Sequence, residues 1–101
     1  MAQGQIAYGT YTGAAAAQNI SVGFVPGLVM VINKTDGTPV GIWTEDMADG
    51  TALDIAAAAA TNAADGITPY AGSSTAGAGF TVGTDYAANA KVYVYVAIGK
   101  M

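Results

Sequence analysis

No histidine, cysteine or arginine occurs in the 101 residues of the sequence, and lysine occurs only three times. Without histidine the chain lacks the commonest general base and the commonest metal ligand. Without cysteine it has neither a disulfide framework nor thiolate chemistry, so packing and association must supply its stability. Lys34, Lys91 and Lys100 are scattered and outnumbered by seven carboxylates, for a net charge of -4. That balance lacks the clustered basic residues that meet phosphates, so no nucleic-acid partner is expected. Long apolar runs are missing too. Pro26, Gly27 and Asn33 interrupt the most hydrophobic stretch, and nothing approaches the roughly 20 residues of a membrane-spanning helix, so no membrane role is expected. The opening MAQGQIAYG has no basic and no apolar region of the kind that directs secretion, so no signal peptide is expected.

Charge is the largest deficit. Charged residues make up 10% of the chain, against roughly 25% in ordinary soluble domains, while 52% of it is apolar. Disordered chains show the reverse balance. The length suits one domain, residues 1–101, with a modest core.

What is present reads as short strands between turns. Gln5 to Thr12 is rich in tyrosine and threonine and predicts a strand that Gly13 ends. After Ala14 to Ala17, the run Asn19 to Val22 alternates, placing Ile20 and Val22 on one face. Val25-Pro26-Gly27 predicts a turn, because proline presets φ and glycine tolerates a positive one. Leu28 to Ile32 is a continuous apolar strand, Asn33 to Thr38 carries the turn signal Asp36-Gly37, and Val40 to Thr44 is the next strand. Ile67 to Tyr70 and Gly79 to Val82 are short strands, and Lys91 to Ile98 closes the series. Between them, Ala48 to Gly66 admits two readings. One is a short alanine-rich helix with Thr51 as its cap and Asp54 three residues on. The other is a strand over Leu53 to Ala58 followed by a loop over Thr61 to Gly66. The fold class expected is all-β, a small antiparallel sandwich or barrel, with that one segment open.

Candidate chemistry is sparse. Glu45, Asp46 and Asp49 beside Trp43 could suggest glycoside hydrolysis or a calcium site, but the spacing lacks the alternating ligands of a calcium loop and suits a solvated turn. Gly77, Gly79 and Gly83 are one residue too long for the dinucleotide fingerprint and precede no helical pattern. Ser73 and Ser74 have no histidine to activate them. Asn19-Ile20-Ser21 and Asn33-Lys34-Thr35 match the glycosylation pattern in a chain with no secretory signal. No catalytic residue, cofactor site or metal site is therefore expected.

The aromatics divide by type. Phe24, Trp43 and Phe80 are expected in the core, with Trp43 against Leu28 to Ile32 and Val92 to Val96. Tyr93 and Tyr95 share a face opposite Val92, Val94 and Val96, and a tyrosine face suits an interface. Few charges point the same way, since charges are depleted at the centres of interfaces and a surface facing water needs more of them. Copies of the chain or a larger assembly are expected to cover part of the surface.

The segments ISVGFVPGLVMVIN, WTEDMADGTAL, GITPYAG, GFTVGTD and YVYVAIG resemble small structural proteins that tailed bacteriophages encode near their head genes, across about Gln18 to Gly99. The resemblance implies a β-rich, non-enzymatic virion component made in the bacterial host cytoplasm. Most often such a protein sits on the capsid surface as a decoration or cement protein, with the major capsid protein as partner. It also suggests a homo-oligomer, with a trimer matching the three-fold positions of an icosahedral shell. The alternatives are a receptor- or carbohydrate-binding tail module, using Trp43 and exposed tyrosines as sugar platforms, and a tail or neck subunit.

Overall fold

The computed structural model describes residues 5–37, 39–55, 59–73 and 77–99, with residues 59–65 described as backbone. It is all-β. Eight strands follow one another: β1 (Ile6–Thr12), β2 (Gln18–Ser21), β3 (Pro26–Asn33), β4 (Val40–Thr44), β5 (Thr51–Ile55), β6 (Ala59–Tyr70), β7 (Gly79–Val82) and β8 (Val92–Gly99). A single turn of 3-10 helix, Thr84–Tyr86, stands between the last two. All neighbours in the sheet run antiparallel, in the order β1-β8-β3-β4-β5-β6-β7-β2, which curls into a nearly closed barrel.

The local rules explain the central hairpin. Asn33 accepts from the Asp36 and Gly37 backbone N–H groups, through its side chain at 3.0 Å and its carbonyl at 2.7 Å, and Gly37 takes a φ of +82°. A tight return of this kind needs a residue that tolerates positive φ, and the Asp-Gly pair supplies it. Leu28 through Ile32 then pair with Thr44 through Val40.

Two expectations give way to tertiary pairing. The helix reading of Ala48 to Gly66 gives way to sheet, and Leu53 to Ile55 of the alternative strand lies in β5: Thr51–Ile55 pairs with β4 on one side and with β6 on the other. Thr51 caps nothing, its hydroxyl donating instead to the Ala48 carbonyl at 2.7 Å. Alanine's helix preference is a few tenths of a kcal/mol per residue and yields to a ladder that satisfies the backbone on both sides. Thr61 to Gly66 lies within β6 rather than in a loop, while residues 56–58 of the expected strand lie outside the described residues. Within its ladder with β5, between the Ala52–Asn62 and Thr51–Ile67 pairs, β6 carries extra residues, and the backbone at Gly66 packs directly on Thr51, leaving no room for a side chain. The second correction concerns Pro26 and Gly27, which begin β3 instead of forming a turn. The reversal lies earlier, at Gly23, whose φ is +91°.

The interior is aromatic and small at once. Trp43, Phe80, Tyr86 and Tyr93 are fully buried with Val29, Val31, Ile67 and Val82. Room for the rings comes from glycine and alanine on neighbouring strands: a methyl on Gly41 would stand about 2.5 Å from the Tyr86 ring, and one on Gly9 would stand 3.0 Å from the Tyr95 hydroxyl. A narrow barrel is filled by pairing large side chains with small ones in this way.

Candidate functional site: the two faces of the sheet

Strand alternation puts Tyr93, Tyr95 and Ala97 on the inner face of β8 and Val92, Val94, Val96 and Ile98 on the outer one. The tyrosine face expected at an interface is therefore the core. Tyr93 is completely buried and Tyr95 packs on the core cluster, its ring meeting Phe80 edge-on with centroids 5.6 Å apart. The valines expected against Trp43 face outward, and its inner-face neighbours on β3 are Val29 and Val31. Hydrogen bonds inside the barrel permit the inversion for Tyr93 and for the tyrosines around it. Tyr11 donates to the Tyr86 carbonyl at 2.8 Å, Tyr86 donates to Asp54 at 2.7 Å, and Tyr93 accepts from the Ala88 N–H at 3.1 Å. Among the described residues no buried side-chain polar atom lacks a partner. A buried tyrosine that keeps its hydrogen bond loses little by leaving water. Burial, then the neighbouring Tyr93 and Tyr86 hydroxyls, push the Tyr11 hydroxyl well above the usual tyrosine range.

The outer face of β1, β8, β3, β4 and β5 is a continuous apolar surface. One row across the strands reads Tyr8, Val96, Met30, Ile42, Leu53. The next reads Thr10, Val94, Ile32, Val40, Ile55. A third row, toward the other end of the strands, holds Ile6, Ile98, Leu28 and Thr44. Ile6 and Tyr8 are 61% and 79% exposed, and the central residues are half-buried. Asp54 is the only charged residue in these five strands, and it turns inward to Tyr86. On the far side of the barrel the outward side chains of β2 and β7 are polar instead, Asn19, Ser21 and Thr81, with Thr81 donating to Asn19 at 2.6 Å.

The charges stand at the strand ends. Lys34 and Asp36 occupy the β3–β4 turn, and Lys91, just before β8, bridges to Asp36 at 3.3 Å. Glu45, Asp46 and Asp49 are exposed in the β4–β5 connection at the opposite end. No group of three or more potential metal ligands, and no pocket, occurs among the described residues.

The other sequence candidates are placed as follows. Gly79 lies in β7 packed on the Ile20 backbone, and Gly83 precedes only the three-residue helical turn. Asn33 is buried as the cap of its turn, and Asn19 is exposed. Ser74 and Lys100 lie outside the described residues. Trp43, with 1% of its surface exposed, donates its indole N–H to the Ala48 carbonyl at 3.1 Å. It has no ring face to offer a sugar.

The fold thus defines a small, nearly closed antiparallel barrel with one apolar outer side. No known protein family matches the chain, nor does a curated protein or a solved structure.

Proposed function

We propose that the chain is a non-enzymatic structural protein that works as one of many copies in a larger assembly. The single observation that carries this reading is the five-strand outer face, apolar but for threonines at its margins and free of charged side chains. Single exposed hydrophobes are ordinary, but contiguous apolar patches beyond a few hundred Å² on a small protein mark an interaction surface. Together with the resemblance to phage head proteins, it supports a capsid decoration role, in which the chain binds the outer surface of the major capsid protein shell. The mechanism is mechanical. Each copy adds interface free energy that the shell must lose before it opens.

The test is reconstitution. Capsids stripped of the protein regain it when the purified chain is added, and they then withstand heating that bursts bare shells. Binding to tails or to free glycans, with none to heads, would replace this role with a receptor-binding one. The non-enzymatic part is tested by incubation with peptidoglycan and oligosaccharides. Reproducible hydrolysis lost in Glu45→Gln or Asp46→Asn would overturn it.

A further inference from the structure

We propose that the apolar outer face seats a second copy of this chain, sheet on sheet, about a two-fold axis that runs the strands of the two copies antiparallel. The inference deepens the assembly reading above by naming what covers the face, and leaves the polar side of the barrel and the free edges of β1 and β2 to meet the shell. Two apolar sheet faces have a general packing solution, stacked about 10 Å apart with strands nearly aligned, and copies of one chain can adopt it with each other.

Charge selects the occupant and its direction. At the end where β3 finishes, the Lys34 N–H donates to the Val92 carbonyl at 2.8 Å, so Lys34, Asp36 and Lys91 share that end. Lys34 and Lys91 are the only cationic side chains among the described residues, so positive charge stands at this end alone. At the other end the Glu45 N–H donates to the Gly27 carbonyl at 2.9 Å, and Glu45, Asp46 and Asp49 place three carboxylates there. Asp85 lies at the lysine end too, in the helical turn whose Tyr86 and Ala87 carbonyls accept from Tyr11 and Ala15, but it follows β7, a strand outside the face. Stacking with strands parallel would lay carboxylates over carboxylates. Stacking them antiparallel lays the lysine end of each copy over the acidic end of the other, twice per pair.

Size agrees. Five strands and three rows of side chains cover on the order of 400 Å² in projection at the usual strand spacings. A standard interface needs about 800 Å² of accessible surface per partner, so the charged ends must join the contact. A ring of three, as the resemblance suggests, would need two different patches on each copy, whereas a single flat face is satisfied by one facing partner. Met30, on the middle strand and in the middle row, marks where the axis passes.

The experiment measures mass by light scattering and sedimentation at tens of micromolar protein. The wild type is expected at two chains. Met30→Asp should fall to one chain, weakening association at least a hundredfold, while Thr81→Asp on the polar side stays at two. Two further variants change only turn and loop residues. Glu45→Lys/Asp46→Lys/Asp49→Lys and Lys34→Glu/Lys91→Gln should each be monomeric alone and should pair when mixed. Near-UV circular dichroism of Trp43 confirms that each variant is folded. A wild type of one or three chains would overturn the proposal, as would equal loss of association in Thr81→Asp and Met30→Asp. A monomer that floats with phosphatidylcholine vesicles would give the face to lipid instead. A monomer that still rebinds stripped capsids would remove the pair and leave the role. A pair that never binds capsids would support the pairing and remove the role.

Discussion

Tyr11 and Tyr93 lie directly opposite each other on β1 and β8, and their rings stack inside the barrel with centroids 5.2 Å apart and planes within 5°. The Tyr11 hydroxyl reaches on to the backbone of Tyr86, which closes one end of the barrel against Gly41 and Asp54. These three tyrosines link the edge strand, the last strand and the end plug.

That linkage sets an alkaline limit. The unfolded Tyr11 hydroxyl ionises near pH 10, whereas the folded one keeps its proton well beyond that. Its contribution to stability is therefore complete below about pH 10 and is lost as the pH rises above it. We expect ionisation of the Tyr11 hydroxyl, read at 295 nm as the difference between wild type and Tyr11→Phe, to coincide with loss of near-UV dichroism. A Tyr11 difference signal near pH 10 with the fold intact would contradict it.

Trp43→Ala removes the largest buried side chain and its bond to Ala48. The expected cost is about 3 to 5 kcal/mol, enough to unfold much of a domain of this size. Denaturant titration measures it. Native emission should be blue-shifted and shielded from iodide, and a red-shifted, freely quenched signal would be inconsistent with this burial.

Two substitutions separate the plug's hydrogen bond from its packing. Tyr86→Phe keeps the ring and leaves the half-buried Asp54 oxygen without its donor, at about 1 to 3 kcal/mol. Gly41→Ala keeps the hydroxyl and crowds the ring, at roughly 1 to 3 kcal/mol. If both prove neutral in thermal melts, Tyr86 does not pack as described.

Ala90 occupies the turn before β8 with a φ of +63°. A left-handed alanine is strained by roughly 1 to 2 kcal/mol, and glycine relieves that while losing part of the gain to its freer unfolded state. Ala90→Gly is expected to raise stability by a few tenths of a kcal/mol or more, read as a higher denaturant midpoint at unchanged slope.

The sequence carried the strands well where alternation and turn chemistry coincided. Val40–Thr44 and Gly79–Val82 fall where expected, because a period of two with flanking glycine, asparagine or aspartate is a local signal. In β6 only Ile67 to Tyr70 was legible, and residues 59–66 were not. Alanine has no side chain large enough to mark a face, so only the strands on either side fix its conformation. The tyrosines of β8 were assigned the wrong side for a related reason. Alternation shows that Tyr93 and Tyr95 share a face, but which face turns inward depends on whether Ala88 and Phe80 stand there to receive them. With valines on both Tyr93's and Tyr95's flanks, neither polarity nor size decides it locally. The outer apolar face was foreshadowed only as a missing quantity of charge, since its rows are assembled from five separate strands.

The sheet order joins residues from the far ends of the described chain, with Ile6 opposite Ile98, while β3 and β4 meet across a turn of a few residues. Loop closure makes the distant pairing entropically expensive and the near one cheap, so folding speed is governed by topology more than by stability. We therefore expect the β3–β4 hairpin to act as the nucleus and β1 to dock after the transition state. Truncations at Met30 or Ile42 should slow folding, whereas truncations at Ile6 or Thr10 should leave that rate alone and hasten unfolding. The edge that closes last is also the one that opens first.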